Sequence, residues 1–413
     1  MNLRHLSGLI LLGGFAVNAN AADWPQFLGP ERNGKTTGEG LAVAWPKEGP
    51  PVVWQKKAGQ GFAGPVVKGG HVILFHRLGD MEVIERLNAA DGKQEWTYDY
   101  PSVYRDGYSS DYGPRSVPTI DGGRVYSLGA DGAIRCVDFT SGKEIWSEEA
   151  RENFGAEKGF FGMAGSPLIE GDSVLLNIGG RDGAGVIALS KNTGKLLWKA
   201  TDQEADYSSP TVATIHGKRQ ALIFLREGLV GLDPKNGKIL YQFRWRARIH
   251  ASVNAALPVV VGNRILLTSS YDTGDNLLEI DASNKLTSVW SGDSFSSQYA
   301  TPMHKGGFLY GLSGRHDSGV GTSPRCVELA TGKVLWTQDG LKASAMIMAG
   351  EHLVVLTERG ELIRMNAKPD KAAITGRAQI LGSGARAQPA LADGKLFARD
   401  SRRLVCLELT EPK

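Results

Sequence analysis

Alternating apolar and polar positions, broken by glycine turns, recur along the chain with a spacing of about 45 residues. Residues 122–146 give the clearest copy, GGRVYSLGADGAIRCVDFTSGKEIW. Residues 124–128 alternate, a Gly-Ala-Asp-Gly turn follows, residues 133–139 form a second run, and a Ser-Gly-Lys turn leads into a short run ending at Trp146. Short period-two runs between turn residues are strands, because successive side chains of a strand point to opposite faces. Short strands joined by tight turns and repeated end to end predict a propeller in which each copy is one blade.

Two anchors count the copies independently. A turn followed by an aromatic residue appears at Trp96, Trp146, Trp198, Tyr241, Trp290 and Trp336, with a degraded seventh copy at residues 366–374. A step into proline, after a small or aliphatic residue except at Gln388, opens the first strand at Pro65, Pro118, Pro167, Pro210, Pro258, Pro302 and Pro389, and one further copy near Ala345 lacks its proline. That gives eight opening strands, but the last copy stops after its third strand. The missing outer strand is Pro51-Val52-Val53-Trp54, at the other end of the array. Pairing it with the last copy closes the ring and removes the edges that an open array would expose. The expected fold is all-β: an eight-bladed propeller of four-stranded antiparallel blades, closed by the N-terminal strand, with seven blades as the fallback if the degraded copy is an insertion.

Alignment of the copies assigns most chemically suggestive residues to architecture. The third strand repeats an apolar residue followed by a polar one, as in Val137-Asp138, Leu232-Asp233 and Ile280-Asp281. The polar member precedes the turn, where a side-chain oxygen accepts hydrogen bonds from turn amides. The tryptophans occupy one position per outer strand, which suits packing between blades. Cys136, Cys326 and Cys406 share one strand position in non-adjacent copies. Packed sheets lie about 10 Å apart, whereas a disulfide needs Cα atoms within about 7 Å, so the three are expected to be free and buried.

Composition narrows the functional classes. The chain has 413 residues with 47 Lys+Arg against 44 Asp+Glu, a net charge of +3, which gives no electrostatic case for nucleic acid. Arg4 and His5 precede the apolar run 6–17, and Ala19-Asn20-Ala21 offers small residues for signal peptidase, so residues 1–21 are expected to be a cleaved signal peptide. Past it no apolar run reaches the roughly 20 residues of a membrane span. Residues 22–50 then form an N-terminal extension packed on a single propeller at 51–413, in a protein exported to the periplasm or secreted.

The Gly-Lys-x-x-Trp turns, the strand openings at proline and the stretch Asp23-Trp24-Pro25-Gln26-Phe27-Leu28-Gly29-Pro30 resemble the pyrroloquinoline-quinone (PQQ)-like β-propeller repeat family. That family holds quinoprotein alcohol and sugar dehydrogenases, which bind the quinone with calcium. It also holds the non-enzymatic lipoprotein of the outer-membrane β-barrel assembly machinery and many other exported proteins. Those dehydrogenases commonly carry a vicinal cysteine pair, and their quinohaem branch adds Cys-x-x-Cys-His. This chain has neither, and it also lacks the lipidation cysteine of the assembly lipoprotein.

Antiparallel topology brings the long loops, among them 102–115, 147–165, 243–256 and 313–324, to the end opposite the tight turns. Five residues that stand three before an opening proline are expected to rim the channel there: Phe62, Arg115, Tyr207, Tyr299 and Arg386. Two arginines among aromatics suit an anionic or sugar-like ligand; the alternative is that they plug the channel. Arg244, Arg246, Arg248 and His250 alternate with apolar residues, which places them on one strand face as an anion patch or a solvated edge. Asp272, Asp275 and Asn276, and separately Arg315-His316-Asp317, lack metal-ligand spacing. No Gly-x-Ser-x-Gly, His-Glu-x-x-His or phosphate loop is present.

These residues point to an exported, non-catalytic binding or scaffold protein of the cell envelope, with no cofactor expected. Its partner is an envelope protein or a small polar or anionic ligand on the long-loop face. The alternative is a PQQ- and calcium-dependent oxidoreductase with an atypical site, and the third reading is a glycan-binding propeller.

Overall fold

A computed structural model describes residues 23–37, 40–42, 44–105, 107–108, 110–318 and 321–411. The signal-peptide residues expected at 1–21 lie outside the described residues. Eight sheets, each with four antiparallel strands in sequence order, form blades at residues 66–101, 119–149, 168–200, 211–244, 259–292, 303–337, 343–379 and 390–408. The eighth blade takes its outer strand from Val52–Lys57, which pairs antiparallel with Arg403–Glu408 and sets Trp54 opposite Cys406. The degraded copy is a full blade, with outer strand Ile374–Gln379. It is widened on its inner edge by Lys35–Thr36, which runs parallel to Ala343–Ala349. Among the described residues no helix is long and apolar enough to cross a membrane.

The outer-strand tryptophans join neighbouring blades in a fixed way. Each of Trp54, Trp96, Trp146, Trp198 and Trp290 lies on the turn glycine of the next blade and donates its N–H to a carbonyl beside that turn, and Trp336 makes the same bond to Lys368 O at a turn without glycine. Trp146 covers Gly194 and bonds Lys191 O at 3.1 Å; Trp96 covers Gly142 and bonds Phe139 O at 3.0 Å. Trp54 repeats the contact on Gly92 and Ala89 O at 2.9 Å, so the ring-closing strand is docked like the others. The glycines sit at positive φ, +71° at Gly142 and +73° at Gly194. A Cβ there would come within 2.7–2.8 Å of the indole, which explains why the turn and the tryptophan recur together. Burying such a ring contributes at most about 4–6 kcal/mol from its apolar area.

Blade 4 departs from this pattern. Tyr241 stands where the others have tryptophan, its ring lies over Gly231 of its own sheet, and the next turn carries Asn284 at φ +70° in place of glycine. Three residues that precede an opening proline bond the neighbouring blade through their amides. Val117 N donates to Ser166 Oγ, Ser166 N to Ser209 Oγ, and Leu257 N to Thr301 Oγ1, each at 2.9 Å.

The third-strand polar residues cap the turns as their position predicts. Asp138 Oδ1 accepts from the amides of Thr140 and Ser141 at 3.1 and 2.7 Å, and Asp281 Oδ1 accepts from those of Ser283 and Lys285 at 2.8 and 2.9 Å. The three cysteines are free and buried. Burial pushes the thiols of Cys136 and Cys406 up to about 12 and that of Cys326 up to about 11.

The N-terminal segment crosses the ring. Trp24 exchanges two backbone hydrogen bonds of 2.8 Å with Val67 of blade 1, and Ile120 N of blade 2 donates to Pro25 O at 2.8 Å. Arg32, 5% exposed, donates to Pro167 O at 3.0 Å and Ser166 O at 3.2 Å in blade 3. Lys35 Nζ reaches His304 O in blade 6 at 3.1 Å, and Gly350 N at the first turn of blade 7 donates to Thr36 O at 3.0 Å. Residues 24–36 therefore span from blades 1–3 to blades 6 and 7 across the inner strands, toward their tight-turn ends. The mouth of the ring on the long-loop face is not crossed by this segment.

Candidate functional site

Loops from seven of the blades converge at that mouth, and the five residues picked out by their distance from proline stand in one arc. Arg115 lies 5.5 Å and Arg386 5.9 Å from the Phe62 ring centre, so two guanidinium groups share one aromatic ring. Arg115 is also 5.9 Å from the ring of Phe161, which packs on Tyr207 at 5.7 Å. On the other side, Arg386 Nε donates to Glu358 Oε1 at 2.8 Å. Glu358 Oε2 faces His316 Nδ1 at 3.5 Å, and His316 stacks on Tyr299 with ring centres 5.0 Å apart at 12°. The Tyr299 hydroxyl and His316 Nε2 are hydrogen-bonded. The order is Tyr299, His316, Glu358, Arg386, Phe62, Arg115, Phe161, Tyr207.

The charges in this arc are largely settled internally. Burial and the charge of Arg386 hold the His316 imidazole below its ordinary range, which keeps it neutral at pH 7. With Nε2 accepting from Tyr299, its proton sits on Nδ1 toward Glu358. Partial burial pushes the Glu358 carboxyl up, but hydrogen bonding and charge from Arg386, with His316, outweigh it and hold the group below the usual carboxylate range. Burial raises the Tyr299 phenol and raises that of Tyr207 to about 12, so neither is a ready base. The arc can offer guanidinium edges and aromatic faces to a ligand; it holds no activated nucleophile.

Beneath the mouth lies a buried pair that sequence reading did not single out. Asp206 and Arg226, 6% and 5% exposed, approach to 3.4 Å. Asp206 Oδ2 accepts from Asn254 N at 2.8 Å, and Arg226 donates to the carbonyls of His250 and Ser252. The pair fastens the 245–254 loop to the propeller. Burial outweighs these bonds and pushes the Asp206 carboxyl up to about 7. Arg226 also borders an open cleft of about 650 Å³ with Asp202, Gln203, Glu204, Arg246 and His250. Arg77, 2% exposed, organises another loop by donating to Ser102 O, Tyr104 O and Tyr112 O at 2.8, 2.9 and 3.2 Å.

The other clusters resolve into structure. The strand Ile239–Arg244 ends at Arg244, so Arg244, Arg246, Arg248 and His250 do not share a strand face. Glu227 pairs with both Arg244, at 3.3 Å, and Arg246. Alternation misled here because a loop follows the strand with no turn residue to announce it. Asp275 is fully buried and accepts from Phe295 N at 2.6 Å, while Asn276 Oδ1 accepts from Ser288 Oγ at 3.0 Å. Arg315 lies 4.5 Å from the Tyr271 ring and pairs with Asp317 at 3.0 Å. Among the described residues no three His, Cys, Asp or Glu side chains converge in a way that could hold a metal ion.

A family model of PQQ-type propellers, described as outer membrane protein assembly factor BamB, matches residues 34–106 and 108–338. The chain belongs to that family. Among solved structures, BamB from Moraxella catarrhalis superposes with a TM-score of 0.64 at 16% identity, covering 88% of this chain and 98% of that one. Quinohemoprotein alcohol dehydrogenase from Comamonas testosteroni superposes at 0.63 with 13% identity, over 95% of this chain and 81% of that one. Likeness at these identities concerns the fold alone. Among curated proteins, quinoprotein alcohol dehydrogenase PedH of Pseudomonas putida is 24% identical over 184 residues, 43% of this chain and 29% of its own length. The enzyme of Comamonas testosteroni is 27% identical over 157 residues, 36% of this chain and 21% of its own length. The match thus spans less than a third of either dehydrogenase.

Proposed function

We propose that this BamB-family chain is an exported, non-catalytic scaffold of the cell envelope that binds a protein partner on its long-loop face. Export to the periplasm, or secretion after signal-peptide cleavage, is part of this proposal. The observation that carries it is the state of the channel mouth. Glu358 is engaged by Arg386 and His316, Asp275 is turned into the sheet, and the described carboxylates do not converge on a cation site. A quinone with calcium needs several oxygen donors on the metal, so this donor set does not fit the pair. The family match over residues 34–106 and 108–338 supports the scaffold reading, whereas the curated dehydrogenases match only part of the chain.

The test mixes purified full chain with PQQ and calcium and records the absorbance spectrum and dye-coupled oxidation of alcohols and aldoses. The expected result is neither bound quinone nor turnover, together with co-purification of an envelope protein after cross-linking in cells. Bound quinone with turnover would overturn the scaffold reading.

A further inference from the structure

Three loops of the long-loop face build one apolar surface beside the channel arc, sharing Phe161 with it. Tyr108, 68% exposed, packs its ring against Phe160 at 5.8 Å and Phe161 at 5.7 Å, and Phe160 meets the His250 ring edge-on at 5.6 Å. Val103 and Ile249, on the first and third of these loops, are 76% and 51% exposed. The rings are held from below: Tyr207 Oη accepts from the amides of Phe160 and Phe161, and Arg226 lies 5.9 Å from the Phe160 ring. Large apolar side chains presented on anchored loops, with arginine close by, are the composition of an interface centre.

The charges around this surface fix the sign of what covers it. Among the described carboxylates on and beside these loops, three are already paired: Asp80 with Arg77 and Arg105, Glu157 with Arg181, and Glu227 with Arg244 and Arg246. Lys158 and Arg248, exposed and on the same loops as Phe160 and Ile249, have no carboxylate partner among the described residues. Among the described residues Lys158 meets Arg105 O, at 3.0 Å, and the Tyr104 ring. Among the described residues, two cations without a carboxylate partner thus lie on the loops that carry the aromatic cluster. The cleft beyond His250 has both signs, Asp202 and Glu204 beside Arg246, and favours neither. An anionic membrane would also answer the charge, but peripheral membrane binding commonly lays an amphipathic helix in the headgroup layer. The helix described here, Ala150–Phe154, has five residues.

We propose that the surface formed by Val103, Tyr108, Phe160, Phe161 and Ile249 docks an acidic segment of a protein partner that carries aromatic or aliphatic anchors. This rests on the scaffold reading above and names the chemistry of its partner. Apolar anchors lie on the ring cluster while carboxylates reach Lys158 and Arg248, so association weakens with salt.

The experiment selects phage-displayed random dodecapeptides on the purified full chain and measures the winners as fluorescent synthetic peptides. The expected winners place Asp or Glu beside Phe, Tyr, Trp or Leu. Their affinity falls about tenfold or more in K158E/R248E and in Tyr108→Ser, a loss within the range of an interface centre. These positions are exposed, so unchanged melting temperatures verify that the variants fold. Winners with basic or unbiased charge overturn the proposal. So do winners that bind the variants unchanged, which would leave the scaffold reading in place with its surface elsewhere. Phosphatidylglycerol vesicles that bind the chain through Lys158 and Arg248, with no peptide enriched, assign the surface to lipid and also overturn it. Quinone turnover in the preceding assay removes the scaffold reading independently of any peptide result.

Discussion

The Tyr207 hydroxyl accepts hydrogen bonds from the backbone amides of Phe160 and Phe161 at 2.8 and 3.0 Å, which ties the 155–164 loop to blade 4. Tyr207→Phe leaves two half-buried amides without that acceptor, a loss of about 1–3 kcal/mol confined to the loop. Hydrogen exchange at Phe160 and Phe161 should accelerate while the blade strands stay protected. Unchanged exchange there would show that the loop is held by other contacts.

Asp206 makes stability depend on pH in a defined direction. Its folded carboxyl titrates near 7 against an ordinary 3.8, so the folded state holds the proton more tightly. The contribution is fully present below about pH 4 and is lost as pH rises through 7, with a slope of up to about 1.4 kcal/mol per pH unit. Asp206→Asn removes this dependence. Denaturant midpoints of the two proteins, compared between pH 4 and 8, should change in ratio with the wild type losing ground toward pH 8. Parallel profiles would contradict the assignment.

The indole and turn-glycine contact predicts opposite outcomes at two equivalent turns. Gly194→Ala places a methyl group 2.8 Å from Trp146 at φ +73° and should destabilise by about 2–4 kcal/mol. Asn284→Gly, at φ +70° with Tyr241 turned away, should fall within about 1 kcal/mol of neutral, on the stabilising side. Chemical denaturation of both variants checks the pair.

Blade 8 should report on ring closure through its thiol. Cys406 is fully buried opposite Trp54, and Trp54→Ala removes the ring that seals the closing strand, at about 3–5 kcal/mol. Under native conditions Cys406 should then react with a thiol reagent well before Cys136, followed residue by residue in peptide mass spectra. Equal rates at the two cysteines would mean that the ring opens as one unit.

Blade number, ring closure, turn caps, free cysteines and the convergence of Phe62, Arg115, Tyr207, Tyr299 and Arg386 were all legible, because each follows from position within a repeat. Glu358 was not: it lies in the degraded copy, where the missing proline and aromatic residue left no register from which to count. His316 stood out by composition, but only the fold stacks it on Tyr299. Asp206 and Arg226 are loop residues of ordinary spacing, and their pairing depends on burial that alternation does not encode. The arginines from 244 to 248 failed for the converse reason, since the pattern continued after the strand had ended.

The closing strand also sets an order of events. Val52–Lys57 is the first propeller strand to be made, and its partner Arg403–Glu408 is the last. Seven blades can pair locally as they emerge, while the first strand waits with both edges open until the far end of the chain arrives. A pairing between the two ends of the propeller is therefore the one that ends its exposure to aggregation, and any factor that shields Val52–Lys57 during that interval acts on yield without altering the finished molecule.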